Sequence, residues 1–408
     1  MSEGNIMMPV RPSERFVILD ALRGFALLGI CMANFPEFSL YSFLDESAKS
    51  EMSSSLWDDI TQYLLYIFVD GKFYTIFSLL FGIGFSIIIA NCMKRGNNGL
   101  KVFYRRMFYL LLIGFAHLIL IWSGDILMLY ALVGMLLPVF MKLSDRKILI
   151  LAGVFLILPV IIDSLCEIFR WNPSAWLVGQ QWKYCGIYGI TEENFAYWLA
   201  DSKSYNDVFK FLIQGAWERM SEFVDGNRYF KVLGLFLIGY YIGRNRLYAN
   251  IGELKSSLKK IAVAGICLGL PLSAVYAWSA MEGHPLGGGI HSLFYFLSVY
   301  LTSFGYIAVF CLTYLAFKKL FVWKLFSAPG RMALTNYIGQ SLIGIFIFYG
   351  IGLGFGAKMG LFEVEIIVAC VFIFEIIFSS IWLKIFRFGP LEWIWRCLTY
   401  KQIFPLLK

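Results

Sequence analysis

The stretch Arg15–Asn34, RFVILDALRGFALLGICMAN, decides how the chain is read. It has the length and apolarity of a membrane-spanning helix, yet Asp20 and Arg23 sit inside the apolar run. A charge at mid-helix in hydrocarbon costs about 3 kcal/mol on insertion scales, so such residues face a protein interior or a water-filled site. Three positions apart, the two lie one helical turn from each other and can pair on one face. Two readings follow: a neutralising pair that fixes topology, or a substrate or ion site built around it.

The composition of the whole chain agrees with that span. Of 408 residues, 59% are hydrophobic, 18% aromatic and only 15% charged, and the mean hydropathy is +0.70. These values exclude an ordinary soluble domain and define an all-α, polytopic helix bundle, a single transmembrane domain over residues 1–408. The first apolar run is interrupted by charge and lacks a small-residue cleavage site, so it reads as a retained helix and not as a signal peptide. The net charge of +8 is spread over the connections, which fits orientation and contact with membrane lipid, not nucleic acid. Eight cysteines without a CxxC pair or metal-ligand spacing indicate neither a metal site nor a disulfide framework. Cys166 and Cys185, at or in an external segment, are the one pair whose compartment permits a bond; free thiols are the default.

A span needs about 20 mainly apolar residues. Ten stretches qualify, near 16–38, 60–90, 103–122, 125–141, 147–168, 228–243, 258–279, 288–318, 333–355 and 361–386. Lysine and arginine fall in alternate connections: Lys94, Arg95, Lys101, Arg105 and Arg106; Lys142, Arg146 and Lys147; Arg244 to Lys260; Lys318 to Arg331; and Lys384 onward. The positive-inside rule then puts both termini on the cytoplasmic side of the membrane. Residues 166–227 form the long external segment, in which Asn206–Phe223 has helical apolar spacing and is expected to lie on the outer surface, as a cap or as a lid over a cavity. A short echo links Asp70-Gly71-Lys72-Phe73 to Asp225-Gly226-Asn227-Arg228, each leading into a glycine-bearing apolar helix entered from outside.

Polar residues within the spans sort by depth. Asn34, Asp70, Lys72, His117 and Asp125 fall toward the outer side and can converge to supply a base, carboxylates that orient it, an amide and an ammonium, as proton or acyl transfer requires. The alternative for His117 is a buried neutral imidazole bonded to a neighbour. Eight residues separate His117 from Asp125, about 12 Å on a continuous helix, so contact requires the Ser123-Gly124 turn to fold back, and Asp70 is an equally good partner. Asp20, Arg23, Arg331 and Asn336 lie inward, where arginine forks suit a phosphate or carboxylate head group. His284 and His291 belong to a turn-rich external loop, EGHPLGGGIH. No GxSxG, P-loop or HExxH occurs, so soluble hydrolase, nucleotide-driven pump and zinc-protease readings have no motif.

Taken together, LDALRGFALLGICMAN (19–34), FYTIFSLLFGIGFSI (73–87), RRMFYLLLIGFAHLILIWSGDILMLYALVG (105–134), GRMALTNYIGQS (330–341) and GPLEWIWR (389–396) resemble the YeiB family of bacterial membrane proteins of unknown function, over nearly the whole chain. That family is similar to the transmembrane acyltransferases, including heparan-alpha-glucosaminide N-acetyltransferase, which pass an acyl group from cytoplasmic acyl-CoA to a sugar. The resemblance implies an active-site role for Asn34. It departs from those acetyltransferases in one respect: Phe35–Asp70 contains no histidine, where they carry a catalytic one.

Three functions fit these residues. The first is transfer of an acyl group from a donor such as acyl-CoA, with no permanently bound cofactor, to an envelope glycan or lipid. Arg23 then holds donor phosphate, His117 is the base and Asp70 or Asp125 orients it. The second is a transporter or flippase with a proton-linked pathway past Asp20, Arg23, Asp70, Lys72 and His117. A non-catalytic membrane scaffold is the third.

Overall fold

The computed structural model describes residues 16–408 apart from Arg95 and Asn97. Arg15, the N-terminal segment expected on the cytoplasmic side, and Arg95 of the first basic loop lie outside the described residues. The elements are α1 (Val17–Phe38), α2 (Glu46–Ser50), α3 (Ser55–Phe68), α4 (Lys72–Lys94), α5 (Gly99–Leu120), α6 (Leu127–Gly134), α7 (Asp145–Phe169), α8 (Ala175–Tyr188), α9 (Tyr205–Asp225), α10 (Arg228–Arg244), α11 (Lys255–Cys267), α12 (Gly269–Met281), α13 (Gly288–Ala316), α14 (Val322–Arg331), α15 (Ala333–Phe348), α16 (Leu361–Ile385) and α17 (Pro390–Tyr400).

All ten apolar stretches are helical, in a polytopic bundle, but they are not ten equal rods. Among the described residues, seven helical stretches are long and apolar enough to cross a membrane, while Leu127–Phe140 and Ala333–Phe348 are shorter and α10 has 17 residues. The expected second span is two helices, α3 and α4, broken where Val69 and Asp70 N–H both bond the Leu65 carbonyl and Gly71 takes φ +71°. The expected seventh is α11 and α12; Pro271 has no N–H for the Cys267 carbonyl, and the helix breaks there. Short helices are sustained by burial: Val232, Leu235, Phe236 and Leu237 of α10 are completely enclosed.

Lipid tails give helices no hydrophobic reason to associate, so small residues that let backbones approach decide which helices pair. On α1, a Cβ at Gly24 would lie 1.9 Å from the Phe326 carbonyl oxygen, and one at Gly330 would lie 1.9 Å from the Asp20 carbonyl oxygen. The α1–α14 contact therefore tolerates only glycine at both points. The α4–α10 contact repeats the device: a Cβ at Gly82 would lie 2.2 Å from the Phe236 oxygen, and one at Gly239 2.1 Å from the Leu79 oxygen. Residues 79 and 82 thus meet 236 and 239 reciprocally. Near their starts Tyr74 Oη donates to the Arg228 carbonyl at 3.5 Å, so the two helices run parallel in matched register. The echo between Asp70-Gly71 and Asp225-Gly226 marks two elements that pair directly.

The basic connections gather at one end of the bundle. There Arg244 donates to the Leu143 carbonyl at 2.8 Å and Trp395 Nε1 to the Arg106 carbonyl at 2.9 Å. At the far end α8 and α9 fold over the bundle. Cys166 and Cys185 are both free. They do not pair because Cys185 is buried on α8, with its Sγ donating to Gln214 Oε1 of α9 at 3.8 Å.

Replacing Gly330 or Gly239 with leucine should prevent the close approach and destabilise the protein by at least ~1–3 kcal/mol, as overpacking does. A lowered thermal midpoint in detergent checks this, and an unchanged midpoint contradicts the packing.

Candidate functional site

A cavity of about 610 Å³ runs between α1, α4, α5 and α15 and has polar groups at both ends. That volume is in the usual range for small-molecule sites. At the basic end its wall carries Arg23, Arg106, Arg331, Arg396 and Glu392; its waist is apolar and aromatic, with Phe77, Phe81, Phe103, Leu110 and Tyr130; at the far end stand Asn34, Glu37, Asp70, Arg219, Arg228 and Lys231.

The basic end is organised by α15 and α17. Glu392 Oε1 accepts the N–H groups of Leu334 at 2.7 Å and Thr335 at 3.1 Å, while Oε2 accepts Thr335 Oγ1 at 2.5 Å. The first turn of a helix has N–H groups without intrahelical partners, and a carboxylate there also meets the positive end of the helix dipole. Glu392 thus caps α15 from a distant helix, and GPLEWIWR is part of the cavity wall as well as an interfacial segment. Arg106 lies flat on Trp395, 3.5 Å from the ring centroid. Arg23 bonds Asp20 at 3.0 Å and the Gly330 carbonyl at 3.3 Å. Pairing and cavity lining thus coexist in the opening motif. Four guanidinium groups against two engaged carboxylates, Asp20 and Glu392, leave this end net positive.

His117 and Asp125 do meet. The chain folds back after α5, with Ile121 and Trp122 N–H both bonding the His117 carbonyl, and Gly124 lies so close to the Trp122 ring that a Cβ would fall 2.0 Å from it. Asp125 Oδ1 lies 3.0 Å from His117 Nδ1, and its Oδ2 accepts the Met128 N–H at 2.7 Å. On the other side of the ring, Nε2 lies 2.9 Å from Ser341 Oγ of α15. All three side chains are buried. Tyr337, a cavity-wall residue, stands between this cluster and the cavity, 5.3 Å from the imidazole between centroids.

The structure divides the other expected members between the cavity wall and the contacts behind it. Asp70 accepts a hydrogen bond from Tyr276 Oη at 2.6 Å, in place of one from His117. Lys72 is fully buried and donates to the Tyr66 carbonyl at 2.6 Å. Asn336 donates to Ser379 Oγ of α16 at 2.9 Å, tying two helices together away from the cavity. Asn34 and Arg331 both line it. His291 packs against His284 with centroids 3.9 Å apart and the rings tilted by 46°, and on Tyr276 at 5.0 Å, so the histidine loop abuts the far mouth.

Sequence reasoning left out Glu37, Arg219, Tyr337, Ser341 and Glu392. Arg219 comes from α9, the expected surface helix. It donates to the Ser123 carbonyl at 3.0 Å and pairs with Glu37 at 3.5 Å and with Glu222. Burial opposes its charge, but Glu222 and Glu37 outweigh that and hold the guanidinium firmly charged. One position earlier, burial, reinforced by Glu222 and Glu37, pushes the Glu218 carboxyl from 4.5 to about 7. The amphipathic spacing of α9 was the available signal, since an arginine falls on its buried face.

The class these features define is a polytopic, all-helical membrane protein with an internal amphipathic cavity. Residues 242–402 match the family described as "Protein of unknown function (DUF418)". The chain is 30% identical to the uncharacterized protein YxaH of Bacillus subtilis, over 98% of both chains. It is 32% identical to an uncharacterized 39.9 kDa protein from the amylase 3′ region of Bacillus acidopullulyticus, again over 98% of both. With the uncharacterized protein YeiB of Escherichia coli it shares 30% identity over 97% of this chain and 99% of that one. The chain belongs to the DUF418, YeiB-type family of membrane proteins of unknown function.

Two outcomes follow. Glu392→Ala removes a helix cap and should cost about 1–2 kcal/mol of stability, seen as a lower thermal midpoint. Because the folded-state Glu218 carboxyl titrates above its unfolded value, the folded protein holds the extra proton and stability declines as pH rises from 4.5 to about 7. Glu218→Gln should flatten that part of the stability profile; an unchanged slope contradicts the assignment.

Proposed function

We propose that the protein transfers an acyl group from a cytoplasmic donor, acyl-CoA by chemical class, to an envelope glycan or lipid at the inner membrane of a bacterium. The observation that carries this reading is one cavity with four arginines at the basic end, an apolar waist and carboxylate and amide groups at the far end. Arginine forks suit donor phosphates, and the waist suits an acyl chain. At the far end Asn34, Glu37 and Asp70 offer polar contacts to an acceptor hydroxyl or amine. In the reaction the thioester C–S bond breaks, a C–O or C–N bond forms, and the acceptor's proton goes to the departing thiolate. His117 and Asp125 act in this scheme from behind the wall, by setting the position of Tyr337.

Purified protein in nanodiscs should bind acyl-CoA, and Arg23→Gln with Arg331→Gln should weaken binding about tenfold or more, the scale of lost charge-assisted contacts. Deleting the gene should change the acylation of envelope glycans or lipids by mass spectrometry. No binding together with an unchanged acylation profile would overturn the reading.

A second reading, a transporter or flippase for an anionic amphiphile, is favoured by the position of His117, which stands behind the cavity wall and does not line it. Under it, proteoliposomes show substrate-dependent proton movement that Asp70→Asn abolishes. Proton movement that survives this substitution rules it out.

A further inference from the structure

Between α15 and α16, away from the cavity, Gln340 Nε2 donates to Glu375 Oε2 at 3.0 Å. Both residues are almost wholly enclosed, 1% and 2% exposed. Among the described residues, Gln340 Oε1 and Glu375 Oε1 receive no hydrogen bond, and none of the ion pairs includes Glu375. A bare carboxylate here would be a charge inside the bundle without a cation, which is strongly disfavoured. It would also leave two acceptor oxygens without a donor, each a further penalty.

One proton on Glu375 removes both difficulties. We infer that Glu375 and Gln340 form a proton-binding site, in which the carboxylic acid O–H donates to Gln340 Oε1 while the Gln340 amide donates to Glu375 Oε2. Two hydrogen bonds then close a planar acid–amide pair, and no charge remains. The titratable groups on packed elements do not offer the missing positive charge. They are Asp20, Arg23, Cys31 and Glu37 of α1, Asp58 and Asp59 of α3, Lys324 and Arg331 of α14, and Glu363, Glu365 and Lys384 on α16 itself; Arg23 is taken by Asp20, and Asp58 accepts the Phe362 N–H at the start of α16.

The site is connected to the cavity through α15. Gln340 follows Tyr337 of the cavity wall by three residues and immediately precedes Ser341, the partner of His117. Loss of the proton sets a carboxylate oxygen against the Gln340 carbonyl oxygen and loosens this end of the α15–α16 contact, while Asn336 still holds Ser379, so proton binding and the position of this wall are linked. The inference stands apart from acyl transfer and survives its failure.

Infrared difference spectroscopy of the full chain in nanodiscs at neutral pH tests it. Wild type minus Glu375→Gln should show one carboxylic-acid carbonyl band, and the variant should keep its thermal midpoint because an amide pair makes both bonds. Glu365→Gln, measured in parallel, should leave that band in place. If Glu375→Gln fails to fold, Gln340→Leu serves instead and should move the acid band to higher frequency through loss of its hydrogen bonds. Loss of a carboxylate band in Glu375→Gln, or no acid band sensitive to either substitution, overturns the proposal. A thermal midpoint that depends on sodium against choline in the wild type but not in Glu375→Gln also overturns it, because a cation would then occupy the site.

Discussion

The reciprocal contact of glycine with carbonyl oxygen, Gly24 with Phe326 and Gly330 with Asp20, is the constraint on which the site depends. It brings α14 against α1 at the level of the Asp20–Arg23 pair, and so puts the Gly330 carbonyl within reach of Arg23. Arg331 then follows at the edge of the cavity and α15 begins two residues later. On the opposite wall, Gly82 and Gly239 draw α4 and α10 together. In a medium where apolar side chains gain nothing by leaving lipid, such steric fits select the neighbours. The cavity is the space that the two tight pairs leave between them.

Polar chemistry within the bundle is concentrated on α15. Its residues point to different partners: Thr335 to Glu392, Asn336 to Ser379, Tyr337 to the cavity, Gln340 to Glu375 and Ser341 to His117. A helix with polar groups on every side is expensive in hydrocarbon unless each group is matched by its neighbours. Contacts on all sides make the helix a junction between α17, α16, α5 and the cavity wall.

Hydropathy revealed the ten helical stretches, and the alternation of lysine and arginine grouped their ends. The separation of Asp20 and Arg23 by one turn was enough to foresee their pair. The contact of His117 with Asp125 required a fold-back turn, and Ser123-Gly124 showed where it would lie. Breaks after Phe68 and at Leu268 were harder to see, because Asp70-Gly71 and Pro271 stand in runs apolar enough to read as continuous. What stayed hidden depends on the lateral order of helices. Asn336 looked like a ligand residue and proved a helix tie; Glu392, in a stretch noted only for its family resemblance, proved a cap. Nothing in a single sequence tells which helix faces which, and that alone decides such roles.

The capping of α15 by Glu392 bears on how the protein is assembled. Glu392 lies 58 positions beyond Leu334, whose N–H it accepts, and all of α16 intervenes. During synthesis α15 must enter the membrane with the donors of its first turn still unmatched by this carboxylate. Only after α16 has crossed and the chain has turned back can α17 dock, bringing Trp395 onto Arg106 in the same movement. Completion of the arginine-lined mouth is therefore a late step in biogenesis, tied to the arrival of the final helix.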